Sequence, residues 1–159
     1  MPHWLVFHPV STFETEESKA ALAKDITSYY TDRGMPAFYV VMHFVKLGLA
    51  DTFVGGEPKN KGPKPFIRLV AEHINVRLPD ADEAYARTIA RLEARMKPHI
   101  ADKGYDWEIH IDETERRLWR INGIYPPPFQ SADERVWALE NRPVPEHEME
   151  EARKRITQH

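Results

Sequence analysis

The chain contains no cysteine among its 159 residues. A disulfide framework and thiol chemistry are therefore excluded. No apolar run approaches the roughly 20 residues that span a bilayer. The first residues lack a basic stretch followed by a long apolar one, so they do not read as a signal peptide. Basic charge is not in excess either. Lys and Arg number 22 against 25 Asp and Glu, for a net charge of −3. The two signs are interspersed, and no basic patch marks a nucleic-acid surface. These absences point to a soluble, cytoplasmic protein that engages neither membrane nor nucleic acid. What is present suits an ordinary globular domain: 42% of residues are hydrophobic and 30% charged, which supports a sizeable core. The length fits one domain, or two small repeated units sharing a core. Prolines number 13, above the usual share of about 5%. Several fall between segments and in the C-terminal third.

The patterning predicts alternating strands and helices. The run from His3 to His8 alternates too little for a half-exposed strand and reads as buried on both faces. "EESKAALAKDITSYYTDRG" reads as a helix with Leu22, Ile26 and Tyr29/Tyr30 on one stripe and Gly34 as its stop. "AFYVVMHFVKL" is β-branched and aromatic and reads as a strand. "DTFVGGEPKNKGPKP" reads as a short strand or turn and a loop. "FIRLVAEHINVR" reads as a second long strand. "LPDADEAYARTIARLEARM" reads as a helix, with Asp80 as cap, Glu83 at the capping-box position and a stripe of Tyr85, Thr88/Ile89, Leu92 and Met96. Pro98 ends it. "YDWEIHID" is the last strand.

The two halves repeat the same order of signals. Pro2-His-Trp-Leu-Val and Pro65-Phe-Ile-Arg-Leu-Val each open a strand that leads to one helix. "DRG" (32–34) and "DKG" (102–104) close those helices. His43 and His110 lie 67 residues apart, as do "VGG" (54–56) and "ING" (121–123). The reading is an α+β fold of two β-α-β units, about 2–62 and 65–125, within a domain spanning 1–128. Two such units give a four-stranded sheet with both helices on one face. Residues 129–159 read as a C-terminal helical tail. Its apolar content is small, which suits a surface or inter-subunit strap.

Pro2 raises a chemical question. Proline has no N–H to give a sheet and suits an edge or a strand start. If Met1 is removed, however, Pro2 carries a secondary amine at the tip of a strand. An α-amine titrates near 7.7–8.0, and an apolar pocket or nearby cations would lower that. Such a group can accept and return a proton. Retention of Met1 would block it. In the second long strand, alternation puts Ile67, Leu69, Ala71, His73, Asn75 and Arg77 on one side. That side begins apolar and ends polar, as a core strand running into a pocket would. The alternatives are a structural histidine at His73 and a solvated strand end at Arg77. No His-x-x-x-His pair occurs, and His3 and His8 fall on opposite strand faces, so no metal is expected. "GGEPKNKG" lacks a phosphate-loop signature.

The terminal proline, the duplicated layout and the stretches "ALAKDIT" (21–27), "AFYVVMHF" (37–44), "FVGGE" (53–57), "EHI" (72–74) and "KGYDWEIHIDETERRLWRINGI" (103–124) together resemble the tautomerase superfamily. They are nearest its branch containing cis-3-chloroacrylic acid dehalogenase and the fungal-type, oxalocrotonate tautomerase-like relatives. The resemblance covers roughly residues 2–128. It implies a homotrimer whose sheets surround a central axis, with a pocket at each N-terminal proline. It implies that Pro2 moves the proton and that His73 and Arg77 stand near the family's two carboxylate-binding arginines. Arg suits that role because its planar fork binds carboxylate bidentately. Tyr30 stands where the dehalogenase has a histidine, and His110 where it has a tyrosine. The dehalogenase's water-activating carboxylate precedes the last Gly-containing turn. Here Ile121 or Asn122 occupies that place. Hydrolytic chemistry thus loses its base, while proton transfer between carbon and oxygen survives, with Asn122 available to an enolate oxygen. The expected activity is tautomerisation, or a related proton transfer, on a small 2-oxo or unsaturated carboxylate, with no cofactor needed. A dehalogenase, hydratase or decarboxylase on the same fold, or a non-catalytic binding protein, are the alternatives.

Overall fold

The computed structural model describes residues 2–74 and 76–157. Its centre is a four-stranded sheet in the order β2-β1-β5-β6, built from β1 (Pro2–Pro9), β2 (Val41–Leu47), β5 (Phe66–His73) and β6 (Asp106–Glu113). β1 runs parallel to β2, β5 parallel to β6, and β1 antiparallel to β5. Each parallel pair is bridged by one helix, α1 (Glu16–Thr31) or α2 (Asp82–Met96). This is the tandem β-α-β layout that the repeated signals implied. A two-stranded hairpin, β3 (Phe53–Val54) with β4 (Glu57–Pro58), lies in the connection between the halves. The glycines of "DRG" and "DKG" both take left-handed backbone, at φ 80° and 76°. Both are therefore places where a Cβ would be strained.

Alternation decides which strand residues meet the helices. Trp4, Val6, Ile67, Leu69 and Ala71 are fully buried and join Leu22, Ile26, Leu92 and Met96 in one core. Each large apolar side chain there contributes about 1.5–3 kcal/mol by leaving water. Among the described residues, no helix is packed on the other face of the sheet. His3, Leu5 and Phe7 are consequently only half-buried, whereas Pro2, Trp4, Val6 and His8 are buried. The expectation that the first strand is buried on both faces is corrected accordingly.

Local signals mislead at three points. β5 stops at His73 instead of running to Arg77, because β6 ends opposite it at Glu113 and Thr114 then closes onto the His73 carbonyl. Helix α2 begins after Ala81 with no side-chain cap, and Asp80 instead accepts from the Tyr85 hydroxyl at 3.3 Å. Its buried stripe runs through Ala84, Thr88, Leu92 and Met96, leaving Tyr85 exposed.

The segment after residue 128 is not a surface strap. Ser131 caps α3 (Ala132–Glu140), accepting from the Glu134 N–H. The left-handed Asn141 ends that helix, and α4 (Glu146–Thr157) follows. Val136, Trp137, Val144, Met149 and Ala152 pack with Tyr39 and Trp119 into a second core. The Trp137 indole N–H donates to the Val144 carbonyl at 3.1 Å. Few apolar residues suffice because the two main-chain elements they cover supply the aromatic partners.

Candidate functional site

Pro2 is buried at the sheet end and pairs in register with His73. Both line a cavity of about 220 Å³. Tyr30, on the last turn of α1, completes the deep end. The residue is 2% exposed. The Trp4 indole N–H donates to that hydroxyl at 3.1 Å, and the hydroxyl meets His73 Nε2 at 2.9 Å. Burial raises the Tyr30 phenol far above its ordinary 10, so it is neutral at any working pH. Burial also lowers His73 from 6.5 to about 4. The pocket thus begins with a proline, a neutral phenol and a neutral imidazole, all placed by secondary structure.

The walls are apolar: Met35, Ile74, Val76, Leu78 and Phe129. The tail therefore contributes a wall through Phe129. The cations come from the helices. Arg33 follows α1, stacks over the Tyr29 ring at 3.7 Å and donates to the Tyr29 carbonyl. Arg87 and Arg91 sit one turn apart on α2, exposed at the mouth. Among the described residues that line the cavity, none is acidic. Like charges spaced i,i+4 cost a helix a few tenths of a kcal/mol, and an apolar-walled pocket with an uncompensated positive rim suits a small anion.

The remaining sequence-derived candidates lie elsewhere. Arg77 is off the strand with its side chain 72% exposed, 4.0 Å from Glu115, and does not line the cavity. The period of two that placed it with His73 ended with the strand. Asn75 lies outside the described residues. His110 pairs with Val70, which puts it on the sheet face away from the helices, where it contacts Asp112 at 3.3 Å. Asn122 is exposed at φ 50°, followed by Gly123 at 79°. Together they form the two-residue turn that closes the Ile121–Ile124 bridge, the usual Asn-Gly hairpin chemistry. His3 and His8 also part company. His3 bonds Glu72 and His43 on the open face, while His8 is buried beside Thr12. Sequence reasoning missed Arg33, Arg87 and Arg91. The only signal was the Arg87/Arg91 spacing, which also describes an ordinary solvated helix face.

The lowered His73 makes a stability prediction. In the unfolded chain its imidazole takes a proton near 6.5, whereas in the fold it resists until about 4. Stability should therefore fall as pH drops through that window and level off below it, by up to about 3 kcal/mol. The buried His8 is shifted the same way, chiefly by desolvation. Urea unfolding between pH 4 and 7 should show this slope, and His73→Asn should remove most of it.

Residues 1–142 match the family described as "Putative oxalocrotonate tautomerase enzyme". RhCC from Rhodococcus jostii RHA1 is 40% identical, with a TM-score of 0.82, covering 90% of this chain and 99% of its own. A "probable enzyme from the thermophilic fungus Aspergillus fumigatus" is 39% identical, with a TM-score of 0.79, covering 91% and 97%. N1, a member of the cis-3-chloroacrylic acid dehalogenase family, shares the fold at 15% identity and a TM-score of 0.67, covering 96% and 99%. No curated protein matches the chain.

Proposed function

The chain belongs to the oxalocrotonate tautomerase-like family of the tautomerase superfamily, and from that premise we propose that it moves a proton on a small 2-oxo or unsaturated carboxylate, with the Pro2 amine as general base and then acid. The observation that carries this reading is the burial of Pro2 beside His73 at the deep end of an apolar cavity with a cationic mouth. The walls exclude water from the reacting carbon. Arg33, Arg87 and Arg91 hold the carboxylate, taking the place first assigned to Arg77. His73 donates toward the oxygen that gains charge as the enolate forms, since a fixed donor is worth most where charge develops. Tyr30 stands behind it. The reaction needs no group beyond these side chains.

Hydrolytic dehalogenation or hydration has less support. It requires a carboxylate to activate water, and no acid is among the described residues of the cavity. Ketonisation of phenylenolpyruvate and related enols tests the proposal. Halide or carbon dioxide release from chloroacrylates or 2-oxo acids, without ketonisation, would overturn it. The arginine assignment makes its own prediction. Arg87→Ala or Arg91→Ala should each raise KM by about tenfold with a smaller change in kcat, as loss of a charged hydrogen bond at an exposed rim implies. Arg77→Ala should leave both within about twofold.

The family resemblance also implies a homotrimer. The uncovered sheet face supports it, since half-buried Leu5, Phe7, Val45 and Val70 need a partner to leave water. Exposed Phe53 and Val54 at the hairpin add apolar surface beside it. Burying such surface is what closed homo-oligomers do.

A further inference from the structure

The contact between Tyr30 and His73 determines more than the shape of the pocket. An indole N–H can only donate, so the Trp4 N–H donates to the phenol oxygen. Tyr30 then has one proton left to place. It is buried, and His73 Nε2, at 2.9 Å, is its other partner. If Nε2 carried a hydrogen, the phenol oxygen would face two donors and its own proton would have no protein acceptor among the described residues. A buried polar hydrogen left unpaired is costly. His73 Nε2 must therefore be the acceptor, which leaves the imidazole hydrogen on Nδ1. Among the described residues no side chain or carbonyl bonds the second ring nitrogen. Since His73 lines the cavity, that nitrogen is the one open to a ligand.

We propose that Tyr30 is a positioning residue which fixes His73 as its neutral Nδ1–H tautomer, so that the ring offers a single N–H donor to an anionic oxygen held beside Pro2. The lock runs Trp4 to Tyr30 to His73, across β1, α1 and β5. A neutral donor is the right kind for an enolate oxygen next to a proline that must exchange protons, because an imidazolium would compete as the acid. Burial, which resists protonation of His73, keeps the ring in that neutral state. Tyr30 thereby acts through His73. The proposal rests on the reading of the cavity as a tautomerase site only for the identity of the anion.

Proton–nitrogen correlation spectra of ¹⁵N-histidine-labelled protein report each ring's tautomer without any substrate. In the native protein at neutral pH, His73 should show a protonated Nδ1 and an unprotonated Nε2. Tyr30→Phe retains the aromatic ring in the core and removes only the hydroxyl. In that variant the His73 signals should shift toward the Nε2–H form or a mixture. With an enol substrate, kcat should fall on the order of tenfold, as for loss of an outer-shell hydrogen bond, with KM little changed. An Nε2–H tautomer in the native protein, or a tautomer unaltered by Tyr30→Phe, would overturn the proposal. The tautomer as stated, in a protein that ketonises no enol, would instead overturn the functional reading while leaving the lock in place.

Discussion

Replacing Pro2 by alanine should lower kcat/KM for enol ketonisation by about a hundredfold or more, within the range that positioned acid–base groups contribute. Alanine keeps an α-amine, so the loss is not one of nitrogen as such. Proline fixes φ through its ring and presents a secondary amine in one orientation. Alanine has neither constraint, and its amine can rotate away from the carbon that gives up the proton. Proton transfer needs that group within hydrogen-bond reach, and small displacements weaken it steeply. The backbone of Pro2 still pairs with β5 at His73, and the residue ends a strand whose other buried members, Trp4 and Val6, are untouched. Folding should therefore be intact by circular dichroism. A variant within about threefold of the parent would show that the ring is not needed.

The second large effect concerns stability. Trp137→Ala should destabilise the protein by about 3–5 kcal/mol, the usual cost of deleting a buried large aromatic. The side chain is 2% exposed and meets Tyr39 edge-on at a centroid distance of 6.3 Å. Its N–H bond to Val144 is lost as well, leaving a carbonyl that was satisfied only across the α3–α4 turn. Equilibrium urea unfolding measures this directly. A loss below about 1 kcal/mol would mean that the C-terminal helices are an appendage. Because Phe129 enters the cavity just before α3, the same variant should also weaken substrate binding.

The fold was legible in the sequence where local and global signals agreed. Repeated strand–helix–strand order, a glycine that needs positive φ at the end of each helical region, and apolar alternation in Ile67, Leu69 and Ala71 all point to one architecture. Legibility failed where a tertiary partner decides the outcome. Nothing in "EHINVR" marks the end of β5. The strand stops because β6 has no further residue to offer it, and Arg77 then leaves the site. The tail looked too polar to form a core because its aromatic partners, Tyr39 and Trp119, come from distant segments. Asn122 was given a chemical role, although Asn followed by Gly is itself the signal for the turn it makes. The arginines at the cavity mouth were invisible for a different reason: a charged helix face looks alike whether it meets solvent or a ligand. Pro2 and His73 were legible as a strand start and as the polar end of a strand side that begins apolar, whereas Tyr30 was named through the family resemblance.

One measurement bears most directly on the proton-carrying proline. Two preparations of the chain are compared for ketonisation of phenylenolpyruvate, their N-termini established by intact mass. One begins at Pro2, and the other carries a single extra residue ahead of it, which turns the amine into an amide that cannot accept a proton. A catalytic Pro2 predicts turnover by the first and a loss of at least about a hundredfold in the second. Equal turnover by both would contradict it.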